Sequence, residues 1–209
     1  MDNIKRMAKR KVKKEMKKPK MKISKGWIIG ISVLILVVII AWWIVGTYNS
    51  LVNKQVEVDK AWGNVQSVYQ RRADLIPNLV ATVKGFAKQE LTVFTEVTNA
   101  RSAWTNAKTP EQQVAAANGL ESALGRLLVV VENYPQLKSD QNFLALQDEL
   151  AGTENRINVE RQRYNTAVSD YNKKVRMFPS NIIAAVFGFD MRTFFEAKEG
   201  AENAPSVQF

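Results

Sequence analysis

The chain contains no cysteine and no histidine. Without cysteine there is no disulfide framework, no thiolate nucleophile and no thiolate-held metal or iron–sulfur centre. Without histidine the chain lacks the side chain that most readily moves protons near neutrality and most often binds transition metals. These two absences remove most enzyme templates, and no cofactor is expected. Strand-like alternation of apolar and polar residues is also nearly absent. The excess of basic residues, 30 Lys and Arg against 20 Asp and Glu, is local. Residues 1–25 hold twelve of the basic residues and two acids, Asp2 and Glu15, which leaves eighteen of each sign in residues 26–209. A nucleic-acid footprint needs basic charge spread over a folded face. No nucleic acid is therefore expected as a partner.

The basic tail gives way to a run without charge. Trp27 to Val45, WIIGISVLILVVIIAWWIV, has only Gly30 and Ser32 outside the apolar set. As a helix its nineteen residues span ~28 Å, close to the ~30 Å hydrocarbon core of a bilayer. Trp27 at one end and Trp42, Trp43 and Tyr48 at the other suit the two interfacial belts. The run exceeds a signal-peptide core and no A-x-A-like site succeeds it, so an uncleaved anchor over residues 26–48 is expected. Membrane lipid is then a partner. Twelve basic residues precede the run, whereas only Lys54 and Lys60 lie within fifteen residues after it. The amino terminus is expected in the cytoplasm, and residues 49–209 on the periplasmic or outer side of a bacterial inner membrane.

Past the anchor the pattern is helical. Leu51, Gln55, Val58, Trp62, Val65, Tyr69, Arg72 and Ile76 are spaced by alternating steps of four and three, and six of the eight are apolar. No Gly-Pro punctuation separates this stripe from the anchor, so a stiff junction is expected. Pro77 lacks an N–H and disfavours helical geometry at Ile76, so it either kinks one long helix or starts a second one. A second helix of about 27 residues is expected beyond it, on the stripe Leu79, Val83, Phe86, Glu90, Val93, Val97, Ala100 and Trp104. Thr109-Pro110-Glu111-Gln112 reads as a capped start for a third, with Gln112 placed to close a capping box. Ser139-Asp140 caps the longest, whose stripe runs from Phe143 to Phe178, ~54 Å of helix, before Pro179 closes it. The expected fold is all-α: a transmembrane helix continuous with an elongated antiparallel four-helix bundle over residues 49–178, then an apolar segment over 179–209.

Several stretches resemble the LemA family of bacterial membrane proteins: YNSLVNKQVEVDKAW, RRADLIPNLVATVKGFAKQE, ENYPQLKSDQNFLALQDELAGTENRINVERQRYNTAVSDYNKKV and FPSNIIAAVFGF. The likeness continues through FFEA to the final PSVQF and covers residues 45–209. The resemblance implies an N-terminal membrane helix, an elongated helical bundle and no established enzymatic activity. Some members of the family are associated with membrane remodelling and organelle formation. The basic extension here is longer than the short flank many members carry.

Three groups of residues are candidates for a role. Arg71, Arg72, Asp74 and Asn78 beside Pro77, with Glu149, Glu154, Asn155 and Arg156 in the long helix, would meet as a buried polar layer that sets register; a ligand or peptide site is the rival. Tyr164-Asn165 and Tyr171-Asn172 repeat after seven residues, so both tyrosines share one helical face, as a core seam or a recognition surface. After Pro179, Ile182, Ile183, Val186, Phe187, Phe189, Phe194 and Phe195 form an apolar surplus suited to an interaction surface. That segment could cap the bundle, bind a neighbouring subunit or enter the lipid interface. The expected function is a non-enzymatic, self-assembling scaffold of the envelope, with a homo-oligomer and an envelope protein as partners. The alternative is a monomeric, membrane-tethered adaptor or sensor that binds a peptide or protein at the distal end of the bundle.

Overall fold

The computed structural model describes residues 25–195. The basic tail, the FFEA stretch beyond Phe195 and the closing PSVQF lie outside the described residues. Among those described there is no strand, and six helices succeed one another: α1 (Lys25–Phe86), α2 (Leu91–Asn106), α3 (Pro110–Val131), α4 (Pro135–Lys138), α5 (Gln141–Arg176) and α6 (Ser180–Phe187). The fold is all-α with a long apolar N-terminal helix, as expected. The chain divides between Gly46 and Thr47 into two units.

In the first unit, the apolar part of α1 is exposed along its length, as a lipid-facing helix would be in the absence of lipid. Its single hydroxyl, Ser32 Oγ, donates to the Ile28 carbonyl at 2.9 Å and is thereby satisfied within the helix. Helix α3 is also long and apolar enough to cross a membrane, but it buries Leu120, Leu124, Leu127 and Val131 against the other helices.

In the second unit, paired side chains fix the helix directions. Lys84 lies over the Phe94 ring and Arg101 reaches Ala73, so α1 and α2 run antiparallel. Glu96 pairs with Arg126, and Lys54, Arg71 and Arg72 pair with Asp170, Glu149 and Glu154 respectively. Helix α5 therefore descends along α1. Two apolar cores result. One gathers Ile76, Leu79, Val83, Phe94, Leu127 and Phe143. The other gathers Val58, Val65, Tyr69, Trp104, Ile157 and Tyr171.

Pro77 does not end a helix: α1 passes through it to Phe86. A proline at this position withdraws the N–H that would bond the carbonyl four residues earlier, that of Ala73. Arg101 Nε donates to that oxygen instead, at 2.8 Å. The break falls at Ala87–Glu90, and the expected 27-residue second helix is the 16-residue α2. Nothing in AKQE marks a turn; the apolar stripe crosses it in phase, with Ala87 buried on the inside.

Capping agrees closely with the sequence pattern. Thr109 Oγ1 accepts from Gln112 N at 3.3 Å, Gln112 Oε1 accepts from Thr109 N at 3.4 Å, and Pro110 opens α3. Asp140 Oδ1 accepts from Phe143 N at 2.9 Å to start the 36-residue α5. Lys173, Lys174 and Arg176 sit in its last turn, where cations meet the negative end of the helix dipole. Helix α6 ends at Gly188, whose φ of 71° is the left-handed conformation that glycine adopts without strain.

Candidate functional site

The polar residues flanking Pro77 and those on α5 meet only in part. Arg71 pairs with Glu149 at 2.8 Å on the surface. Arg72 is buried and pairs with Glu154. Asp74 is exposed and accepts from Gln70 at 2.9 Å, while Asn78 contributes its carbonyl to Thr82 Oγ1 at 2.9 Å. Asn155 and Arg156 are exposed. A single buried layer of eight residues is thus replaced by one buried arginine and its half-exposed partner. The helical spacing explains it: Asp74, Asn78, Asn155 and Arg156 fall outside the apolar stripes of α1 and α5.

The larger polar construction lies lower, between α1, α3 and α5. Tyr69 is fully buried and donates to Glu121 Oε1 at 2.6 Å. Arg161 contacts both the Tyr69 hydroxyl and the Glu121 carboxylate. Burial, and then the adjacent Glu121 charge, raise the Tyr69 pKa well above the ordinary phenol range. The hydroxyl stays protonated and serves as a donor; it cannot act as a base near neutrality. Neither Glu121 nor Arg161 stood out in the sequence, because their partners lie on other helices and no local motif joins them.

Below this triad the chain is strapped down. After Gly188 it runs without secondary structure to Phe195, held by α5. Asn172 Nδ2 donates to the Arg192 carbonyl at 2.8 Å, and Asn172 Oδ1 accepts from Arg192 N at 2.8 Å. Asn165 repeats the bracket on Phe195, at 3.0 Å and 2.7 Å. Tyr164 donates to the Thr193 carbonyl at 2.9 Å. Seven residues of helix rise ~10.5 Å, and three residues of extended chain cover ~10 Å, so the two asparagines match Arg192 and Phe195. Each primary amide offers one donor and one acceptor to the C=O and N–H of a single residue, the pairing a neighbouring strand would supply. Burial raises the pKa of Tyr164 and of Tyr171.

Phe195 closes the strap. Its ring is stacked with Tyr69 at 6.1 Å, and the Arg161 guanidinium carbon lies 4.3 Å from its centroid. Trp62 joins from α1, 5.0 Å from the Tyr164 ring and 6.1 Å from that of Phe195. Five aromatic rings, counting Trp104 against Tyr69 at 4.6 Å, thus form one cluster, and two of them, Tyr69 and Phe195, face the Arg161 cation.

The apolar surplus after Pro179 is accordingly divided. Ile183 and Phe195 are buried and Phe189 is half-buried, so these three belong to the core and not to a free surface. Ile182, Val186, Phe187 and Phe194 are exposed. Of the aromatic residues expected at the membrane surface, Trp27, Trp42 and Trp43 are exposed along α1. Tyr48 makes edge contacts with Phe187 at 5.0 Å and Phe189 at 5.5 Å. Among the described residues no group of three acidic side chains is placed to hold a metal ion. The concavities are open grooves along α5.

The family model described as the LemA family matches residues 61–209. The chain belongs to the LemA family. Within it, the magnetosome protein MamQ 1 of Paramagnetospirillum magneticum is 28% identical over 198 residues, covering 82% of this chain and 72% of that protein. MamQ of Magnetospirillum gryphiswaldense is 26% identical over 200 residues, covering 83% and 73%. Protein LemA of Metamycoplasma hominis is 25% identical over 156 residues, covering 74% and 71%. None of these names denotes an enzyme. The matched region of this LemA-family chain contains the strap, its asparagine brackets and the Tyr69–Glu121–Arg161 triad.

Proposed function

We propose that this chain is a single-pass membrane protein that self-assembles as a non-enzymatic, membrane-organising scaffold. Its amino terminus is placed in the cytoplasm and its helical domain on the periplasmic or outer face of the inner membrane, on the asymmetry of basic residues. The observation that carries the reading is the apolar flank between α3 and α5. A groove of about 210 Å³ is lined there by Leu124, Leu128, Leu150 and Ala151, with the stems of Arg72 and Gln147. Leu128, Val129 and Leu144 stay exposed beside it. A long, open, apolar flank suits another helix better than a small substrate, which needs a concave and largely enclosed site. The names of the MamQ relatives, proteins of the magnetosome, support an organising role over a catalytic one.

Solution mass of the full-length protein in detergent tests the proposal. A closed oligomer that dissociates on Leu144→Lys and Leu128→Lys, with helicity retained, is expected. A monomer at all concentrations would sink it and leave the adaptor reading, in which the same groove takes a peptide of another protein.

A further inference from the structure

The face of α6 turned away from the core is too apolar to be left in water. Phe178 is 78% exposed and Val186 73%, and Met177, Ile182 and Phe187 are each about half exposed. Ile182 and Val186 are four residues apart, so they share one side of the helix, while Ile183 and Ala184 anchor the other in the core and Phe178 lies in the turn just before it. We infer that this face of α6, with the Met177–Phe178 turn before it, lies in the headgroup layer of the bilayer as a second, non-spanning membrane contact.

Two further observations select lipid as the occupant. The first is continuity. The ring of Tyr48 touches Phe187 and Phe189, and Tyr48 stands three residues after Val45, where the apolar run ends. At most ~11 Å of chain separates the two positions, so α6 is held within reach of the bilayer surface. The second is charge. Lys173, Lys174 and Arg176 fill the turn of α5 that leads into Met177, where Asp170 and Asp190 are the acids nearest in sequence. An apolar face rimmed by basic residues is the composition of an interfacial helix on anionic lipid. A second copy of the chain docked symmetrically on this face would bring its own three cations against them, which disfavours that occupant.

The absence of cysteine makes the test direct. Val186→Cys, and separately Ile182→Cys, would be labelled with an environment-sensitive fluorophore in the full-length protein, with Val159→Cys on α5 as the exposed reference. The proteins are reconstituted at low density into vesicles of phosphatidylethanolamine and phosphatidylglycerol containing a headgroup-region nitroxide lipid. The expected result is several-fold stronger quenching at positions 182 and 186 than at 159, at every protein-to-lipid ratio. It should weaken when Lys173, Lys174 and Arg176 are changed to Glu. Quenching equal to that at 159 would overturn the inference. So would protection from aqueous iodide that grows with protein density without lipid quenching, because a second copy would then cover the face. The low-density readout reports lipid contact whether or not the protein assembles, so it is independent of the scaffold proposal.

Discussion

Arg101 on α2 donates its Nε–H, at 2.8 Å, to the carbonyl oxygen of Ala73, the oxygen that Pro77 leaves without a helical partner. The bond turns a helix-breaking residue into a helix-pairing device: the free carbonyl becomes the socket by which α2 docks on α1.

Replacing Arg101 by Met should therefore cost about 1–3 kcal/mol, the penalty of a buried acceptor left unpaired. In a Pro77→Ala background the new N–H can take up the Ala73 carbonyl, and the same Arg101 change should cost less. Denaturant unfolding of the full chain in detergent would measure both. Equal losses in the two backgrounds would mean that Arg101 acts through something other than this carbonyl.

The residues around Pro77 and those they meet on α5 should separate sharply by burial. Glu154→Ala leaves the buried Arg72 cation without its carboxylate and is expected to cost about 1–3 kcal/mol, allowing for the partial exposure of Glu154. Asp74→Ala removes only an exposed bond from Gln70 and should fall within about 0.5 kcal/mol. Thermal melts of the two variants side by side are sufficient.

Asn165→Ala and Asn172→Ala each remove two hydrogen bonds to the strap. Hydrogen exchange should accelerate at the amides of Phe195 and Arg192 respectively, at a global cost of about 1–2 kcal/mol per variant. Because both asparagines hold one segment, the double variant should deviate from additivity by about 0.5 kcal/mol or more. Unchanged exchange at these amides would show that Phe195 packing alone holds the strap.

Tyr69 should make the fold sensitive to alkali. Its folded-state pKa is raised above the ordinary 10.0, chiefly by burial. The stabilisation is thus fully present below pH 10 and is lost as pH climbs from there towards the folded value, at about 1.4 kcal/mol per pH unit. Tyr69→Phe should flatten that decline by one proton's share. Tyr164 and Tyr171, raised in the same direction, should keep part of it. A full stability–pH curve of the variant that overlays the wild type above pH 10 would contradict the assignment.

What could be read from the sequence was what local chemistry dictates. The caps at Thr109 and Asp140 and the stripe of α5 depend on residues within a few positions of one another, and each appears where it was expected. Pro77 left a kink and a fresh start both open, because its remedy, Arg101, is distant in sequence. The turn at Ala87–Glu90 was hidden because its apolar phase matches that of an unbroken helix. The brackets formed by Asn165 and Asn172 were visible as a repeat but not as a function: an asparagine acquires that role only when a backbone is laid beside it. The apolar surplus after Pro179 was recognised as a block. Its division into anchored Ile183 and Phe195 and exposed Ile182 and Val186 needed the course of the chain through Gly188.

The asparagine brackets leave the strap indifferent to spelling and strict about count. They grip backbone groups alone; the side chains of Arg192 and Thr193 add only exposed, long contacts to Asp59 at 3.7 Å and Glu111 at 3.5 Å. One residue added or lost between Arg192 and Phe195 would carry a peptide group ~3.4 Å out of reach of its amide. Asn158 stands one further heptad along α5, where it donates to Glu154 at 3.4 Å. A shift of three residues is thus the only slip that could find an equivalent grip. In related chains, length differences in this segment should come in threes or be absent.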